Sequence, residues 1–254
     1  MESERIAVVT GAARGIGLAT ARLLAADGAR VRMLDIDGEE LARAVGEVPG
    51  ATAHACDVGD PDAVAAFAAD CPRVDALVNN AGLADFGPIE DTTFERWRAV
   101  MRTNLDGPFL VTQALLPALK AARGAVVNIA SISALRASTL RVAYGTSKAG
   151  IAHLAAQQAV ELGEHGIRVN CVCPGPVRTK LAMAVHTPDI IDAYHDAIPL
   201  GRYGNETEIA EAIRWLLSPA ASFVTGQRLA VDGGFEATGI GLPALRDGRR
   251  GATD

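Results

Sequence analysis

Seven short apolar runs alternate with helical patterns along this chain, and that alternation limits its fold more than any other feature. The strand-like runs are Ile6–Thr10, Arg30–Asp35, Thr52–Ala55, Ala76–Asn79, Ala125–Ala130, Arg168–Val172 and Arg228–Val231. Several are apolar throughout, as strands are when helices cover both faces of a parallel sheet. Helical patterns lie between them at about 16–27, 39–46, 61–70, 93–119, 144–165 and 206–217. This order predicts an α/β, doubly wound architecture around a seven-stranded, mainly parallel sheet. No repeat, low-complexity tract or linker divides the 254 residues, so one domain over residues 1–254 is expected. Two segments fall outside the alternation: 179–204, read as a substrate-covering segment, and a C-terminal tail, 235–254. In such sheets ligands sit beyond the carboxyl ends of the strands, so that rim is where the chemistry is sought.

Composition narrows the partners. With 24 Lys+Arg against 30 Asp+Glu the formal charge is −6, which argues against nucleic acid and anionic membranes. No apolar run approaches the roughly 20 residues that span a bilayer. The segment Met1–Arg5 lacks the basic-then-apolar plan of a secretory signal, so a cytoplasmic protein with a small-molecule substrate is expected. Cys56, Cys71, Cys171 and Cys173 form no metal-binding pattern and read as small buried hydrophobes, with Cys171 and Cys173 on one side of a strand. No metal is expected.

The first strand runs through Gly11-Ala12-Ala13-Arg14-Gly15-Ile16-Gly17 straight into a helix. Glycines there allow a tight turn and let backbone N–H groups approach a pyrophosphate at the helix N-terminus. Asp35 ends the second strand 18 residues past Gly17. A carboxylate at that place accepts both ribose hydroxyls and repels a 2′-phosphate, which favours NAD over NADP. Arg14 pulls the other way, since a basic loop residue can help hold a phosphate. Tyr144 and Lys148, four apart at the start of a long helix, share one face. An ammonium beside a phenol favours the phenolate, so Lys148 is expected to bring Tyr144 into range for proton transfer.

From Ile6 to about Phe235 the chain resembles the short-chain dehydrogenases/reductases, a Rossmann-like family. The likeness is carried by Thr10-Gly11-x-x-x-Gly15-Ile16-Gly17, Asn79-Asn80-Ala81-Gly82 and Tyr144-x-x-x-Lys148. It also rests on Ser131, placed 13 residues before Tyr144 at a strand end. The resemblance implies hydride transfer between an alcohol or ketone and a nicotinamide. Tyr144 would be the proton donor and acceptor, Ser131 the oxygen-stabilising group, and Asn104 the holder of a relay water. Lys148 would also hold the ribose. The resemblance further implies cofactor contacts at Gly11, Arg14, Gly15, Ile16, Gly17, Asp35, Asp57, Val58, Asn80, Ala81 and Gly82, and at Pro174, Gly175, Val177 and Thr179. It implies a homotetramer pairing the helices of 93–119 and 144–165.

The substrate is less determined. Arg136 and Arg141 lie in the stretch that crosses the pocket in this family, and Ser133 reads as pocket wall. Arg141, three residues before Tyr144, is either a guanidinium that grips an acid group or a surface or intersubunit arginine. His186 and His195 read as loop-packing or solvent-facing. The leading expectation is a secondary-alcohol dehydrogenase acting on a small anionic hydroxy or keto compound. A sugar or polyol dehydrogenase, a 3-oxoacyl thioester reductase and an inactive nucleotide-binding module are the alternatives. The inactive module would be expected to lack Ser131, Tyr144 or Lys148, and all three are present.

Overall fold

In the computed structural model, residues 5–179 and 186–239 are described. Residues 180–185 of the covering segment and 240–254 of the tail lie outside the described residues. The strands are β1 (Ile6–Thr10), β2 (Arg30–Asp35), β3 (Thr52–Ala55), β4 (Ala76–Asn79), β5 (Ala125–Ile129), β6 (Arg168–Pro174) and β7 (Arg228–Val231). They form one sheet in the order β3-β2-β1-β4-β5-β6-β7. Every neighbouring pair is parallel, so the sheet is wholly rather than mainly parallel. The chain steps outward from β1 to β3, then returns to start β4 on β1's other side. That reversal opens a crevice between the loops after β1 and β4.

Alternation within each strand feeds two apolar layers. On one face Ala7, Val9, Val78 and Val127 pack with Leu24, Leu41 and Ile213. These last come from α1 (Gly15–Ala26), α2 (Gly38–Val45) and a helix near the end of the described chain, Glu206–Leu217. On the other face Val8, Leu77, Val126 and Cys171 meet Val64, Val111, Leu119 and Ile151. Those belong to α3 (Pro61–Ala69), α5 (Gly107–Ala114), α6 (Leu116–Ala122) and α7 (Val142–Leu162). All four cysteines are buried and free, and Cys171 and Cys173 share the second layer as their spacing predicts.

The helical pattern at 93–119 is not one helix. It divides into α4 (Phe94–Met101), a π-helical turn over Arg102–Asp106, α5 and α6. Pro108 and Pro117 sit in the first turns of α5 and α6, where a missing N–H costs nothing. The π turn carries the fully buried Asn104. Among the described residues two further helices follow, α8 (Pro188–Ala197) and α9 (Glu206–Leu217); α9 starts in a capping box between Asn205 and Glu208. No described helix is long and apolar enough to cross a membrane.

Candidate active site

The loop after β1 is shaped by its glycines. Gly11 and Gly15 take left-handed φ values of +62° and +59°, a region that favours residues without a Cβ. A Cβ on Gly17 would collide with the Gly11 carbonyl, whereas the space over Gly15 is open. Arg14 caps α1 without a side-chain hydrogen bond, and the first turn holds no acidic residue. The N–H groups at that helix start therefore lack a side-chain acceptor, which suits a diphosphate. Asp35 accepts from Ala13 N and Asp37 N, both at 3.0 Å, which fixes its carboxylate behind the loop. Arg14 is ion-paired with Asp37, so its charge is already matched by a carboxylate that sequence reading missed.

Thr10 joins this loop to the one after β4. Its hydroxyl accepts from Asn80 N at 2.9 Å and Ala81 N at 3.0 Å, and Asn80 Nδ2 donates to the Thr10 and Gly11 carbonyls. Thr10 was visible in the motif, but its role as a hinge pin between two loops needed three dimensions. Asp57 accepts from Gly59 N at 2.9 Å and is ion-paired with Arg102 of the π turn. The Val58 side chain is buried beneath Gly107. Gly175 packs so closely on Asp232 that a Cβ would sit 2.6 Å from the Asp232 Cβ.

At the centre, Ser131 follows β5 and opens a 3-10 turn, Ile132–Ala134. Its Oγ accepts from Ser133 N at 3.1 Å and shares a hydrogen bond with Tyr144. Burial pushes the Tyr144 phenol above its ordinary value, while Ser131's hydrogen bond and Arg141's charge pull it down. The expectation of a lowered phenol is therefore reversed here, because dense packing outweighs the favourable partners. Lys148, Nζ 5.7 Å from the Tyr144 ring centroid, is buried and donates to the Ile129 carbonyl at 2.8 Å. Desolvation lowers its ammonium to about 8. Asn104 Nδ2 donates to the Leu83 carbonyl and to Ser147 Oγ, and its Oδ1 accepts from Leu83 N. Asn104 Oδ1 and Lys148 Nζ each lie 3.4 Å from the point where a Cβ on Gly82 would stand. The π turn thus delivers a carboxamide to the lysine's side of the cleft.

A cavity of about 250 Å³ opens over these groups. Ile16, Asn80, Gly82, Pro174, Gly175, Val177 and Thr179 line it, with Ser131, Tyr144 and Lys148. Leu83, Phe86, Ile132, Arg141, His186 and Tyr194 line it as well. Ser133 does not line it. The 3-10 turn buries its side chain, leaving the Oγ without a partner, and its main chain instead orients Ser131. Arg136 is also elsewhere, donating to the Phe235 and Thr238 carbonyls at 2.7 and 2.6 Å, where it fastens the start of the tail. His186, expected at the surface or in loop packing, is on the cavity wall, while His195 packs on Tyr203.

A wholly parallel doubly wound sheet, with a glycine cradle and a Ser–Tyr–Lys cluster at the same strand ends, defines a nicotinamide-dependent alcohol/ketone oxidoreductase. The profile of a family described as enoyl-(acyl carrier protein) reductase matches residues 11–236, and the chain belongs to the short-chain dehydrogenase/reductase family. It is 40% identical over 240 residues to a D-threitol dehydrogenase of Mycolicibacterium smegmatis, covering 91% of this chain and 92% of that protein. It is 41% identical over 244 residues to a cis-4-hydroxycyclohexanecarboxylate dehydrogenase of Sinomonas cyclohexanicum, covering 92% and 98%. Among solved structures, an actinorhodin polyketide ketoreductase with NADPH superposes with a TM-score of 0.89 at 34% identity, covering 94% and 99%.

Proposed function

We propose that this enzyme interconverts a secondary alcohol and a ketone with NAD(H), and that its substrate is a small hydroxy or keto acid. The observation that carries the reading is one cavity lined by Tyr144, Ser131, Lys148 and Arg141 together. When bound, the nicotinamide takes up or gives the hydride. The Tyr144 hydroxyl exchanges the proton of the reacting oxygen, and Ser131 Oγ holds that oxygen and stabilises its charge. Lys148 holds the nicotinamide ribose and supplies the nearby positive charge. Asn104, fixed by Leu83 and Ser147, holds the water that relays the proton onward from Lys148. Gly11, Gly15, Ile16, Gly17, Asn80, Ala81, Gly82, Pro174, Gly175, Val177 and Thr179 frame the cofactor, and Asp57 and the Val58 main chain border its adenine.

The NAD preference rests on Asp35, with Asp37 neutralising Arg14. The acidic substrate rests on Arg141, in line with the relative named for a hydroxycyclohexanecarboxylate. The relative named for D-threitol favours the polyol reading as the second choice. The protein acts in the cytoplasm as a one-domain subunit of a homotetramer. Exposed Phe94, Phe109 and Val160, on α4, α5 and α7, supply apolar surface for pairing.

The test is steady-state oxidation of 4-hydroxycyclohexanecarboxylate, the similarly shaped uncharged 4-isopropylcyclohexanol, and D-threitol. The acid should give the highest kcat/KM. Arg141→Ala should lower that value by about 30-fold or more, the usual cost of removing one partner of a desolvated charge pair. Equal losses for the acid and the uncharged alcohol would make Arg141 structural and hand the reading to polyols.

A further inference from the structure

Arg141 does not stand alone on the cavity wall. Its Nη2 donates to the Tyr194 hydroxyl at 3.1 Å, and its guanidinium lies 4.9 Å from the centroid of the Phe86 ring. Tyr194 comes from α8, 53 residues further along the chain, and lines the same cavity as Tyr144. Its ring is held on several sides. His186 stacks on it at 5.5 Å, and Tyr203 and Phe235 meet it edge-on at 5.7 and 5.9 Å. A ring packed in this way directs its hydroxyl with little loss of entropy on binding.

The chemistry of the contact matters more than its strength. A guanidinium only donates, so in this pair the phenol oxygen is the acceptor and its own proton remains to be given. No acceptor for that proton is found among the described residues. Two donors, one charged and one neutral, thus converge on the wall of the cavity that Ser131 and Tyr144 also line. Leu83, Phe86 and Ile132 give the same cavity apolar wall. His186, the other polar group nearby, is spoken for by the Tyr203 hydroxyl at 3.0 Å. Its imidazole is held below its ordinary value by burial and by Arg141, so at neutral pH it does not compete as a second cation.

We propose that Tyr194 is a specificity-determining residue: its hydroxyl donates to one oxygen of a substrate carboxylate whose other oxygen Arg141 holds. The substrate class is then a hydroxy acid whose carboxylate reaches Arg141 and Tyr194 while its carbinol faces Ser131 and Tyr144. This rests on the reading of Arg141 as an acid-binding group, and it adds a second, uncharged anchor. A carboxylate meets both donors, a lone hydroxyl meets one, and a hydrocarbon end leaves both unmatched by the substrate.

Tyr194→Phe removes only the hydroxyl and keeps the ring contacts. With 4-hydroxycyclohexanecarboxylate the variant should show KM raised about tenfold and kcat within about twofold, a loss of about 1.4 kcal/mol. With 4-isopropylcyclohexanol both constants should stay within about twofold of wild type. Calorimetric titration of cyclohexanecarboxylate into the enzyme–NADH complex should weaken in parallel with KM. An unchanged KM for the acid, or equal changes for acid and alcohol, overturns the role of Tyr194. If Arg141→Ala still singles out the acid in that case, the reading of Arg141 survives. If neither variant distinguishes acid from alcohol, or the wild type neither oxidises nor binds the acids, both fall together.

Discussion

The two walls of the crevice are built from different material. The cofactor wall, from Thr10 to Gly17 and from Asn80 to Gly82, is mostly main chain: positive-φ glycines, an uncapped helix start, and one threonine tying two loops together. The substrate wall is side chain. Arg141, His186 and Tyr194 line it, backed by Tyr203 and Phe235, and the group is held by ring contacts, a guanidinium–phenol bond and a His186–Tyr203 hydrogen bond. The first wall must present the same N–H groups to the same ligand. The second can be rebuilt by exchanging side chains, without disturbing the sheet. Relatives named for a polyol and for a hydroxycyclohexanecarboxylate fit that division.

If the walls are separable, coenzyme choice can be changed alone. Asp35→Ser with Ile36→Arg replaces a repelling carboxylate by an accepting cation at an exposed position. Like-charge contacts cost several kcal/mol, so the ratio of kcat/KM with NADP to that with NAD should rise by about a hundredfold. KM for the alcohol substrate should move less than about threefold, since distant sites act independently. A wild type that already prefers NADP would show that Arg14 governs the choice despite Asp37. A large shift in alcohol KM would show that the walls are coupled.

Lys148 stands where the walls meet, and it trades stability for function. An unperturbed lysine titrates near 10.4, and burial brings this one to about 8. At pH 7 the folded protein therefore holds a buried charge at a cost of a few kcal/mol, on an order-of-magnitude scale. The sign follows from proton counting. Between about pH 8 and 10.4 the unfolded chain binds the proton that the folded one has lost, so this penalty is relieved as pH rises. Lys148→Met should therefore be more stable than wild type at pH 7, by about 1–3 kcal/mol in urea unfolding, with the gap closing by pH 10. It should also lose nearly all turnover. A variant less stable than wild type at pH 7 would mean that the bond to the Ile129 carbonyl outweighs desolvation.

Sequence reading served the two walls unequally. The succession of strands along the chain, the glycine loop, Asp35, Ser131, Tyr144 and Lys148 were legible because each is set by local rules or a fixed interval along the chain. Asn104 was legible in position, but the π turn that aims it was hidden inside what read as one continuous helix, 93–119. Tyr194 carried no signal at all. It is one residue of a short helix with ordinary composition, and its meaning comes only from meeting Arg141 across 53 residues. Ser133 failed for the opposite reason: two residues from Ser131 in sequence, it is turned away by a 3-10 geometry that spacing does not reveal.

The central claim is that Tyr144 exchanges the proton while the rest of the site binds. Tyr144→Phe tests it most directly, because the ring and its packing against Phe86 remain and only the hydroxyl is lost. Steady-state rates with the best alcohol substrate should be measured beside NADH affinity by fluorescence titration. The account predicts a fall in kcat/KM of at least about a thousandfold, some 4 kcal/mol of transition-state stabilisation, with NADH affinity changed less than about threefold. Retention of more than about a tenth of wild-type kcat/KM, a loss under about 1.4 kcal/mol, would contradict it.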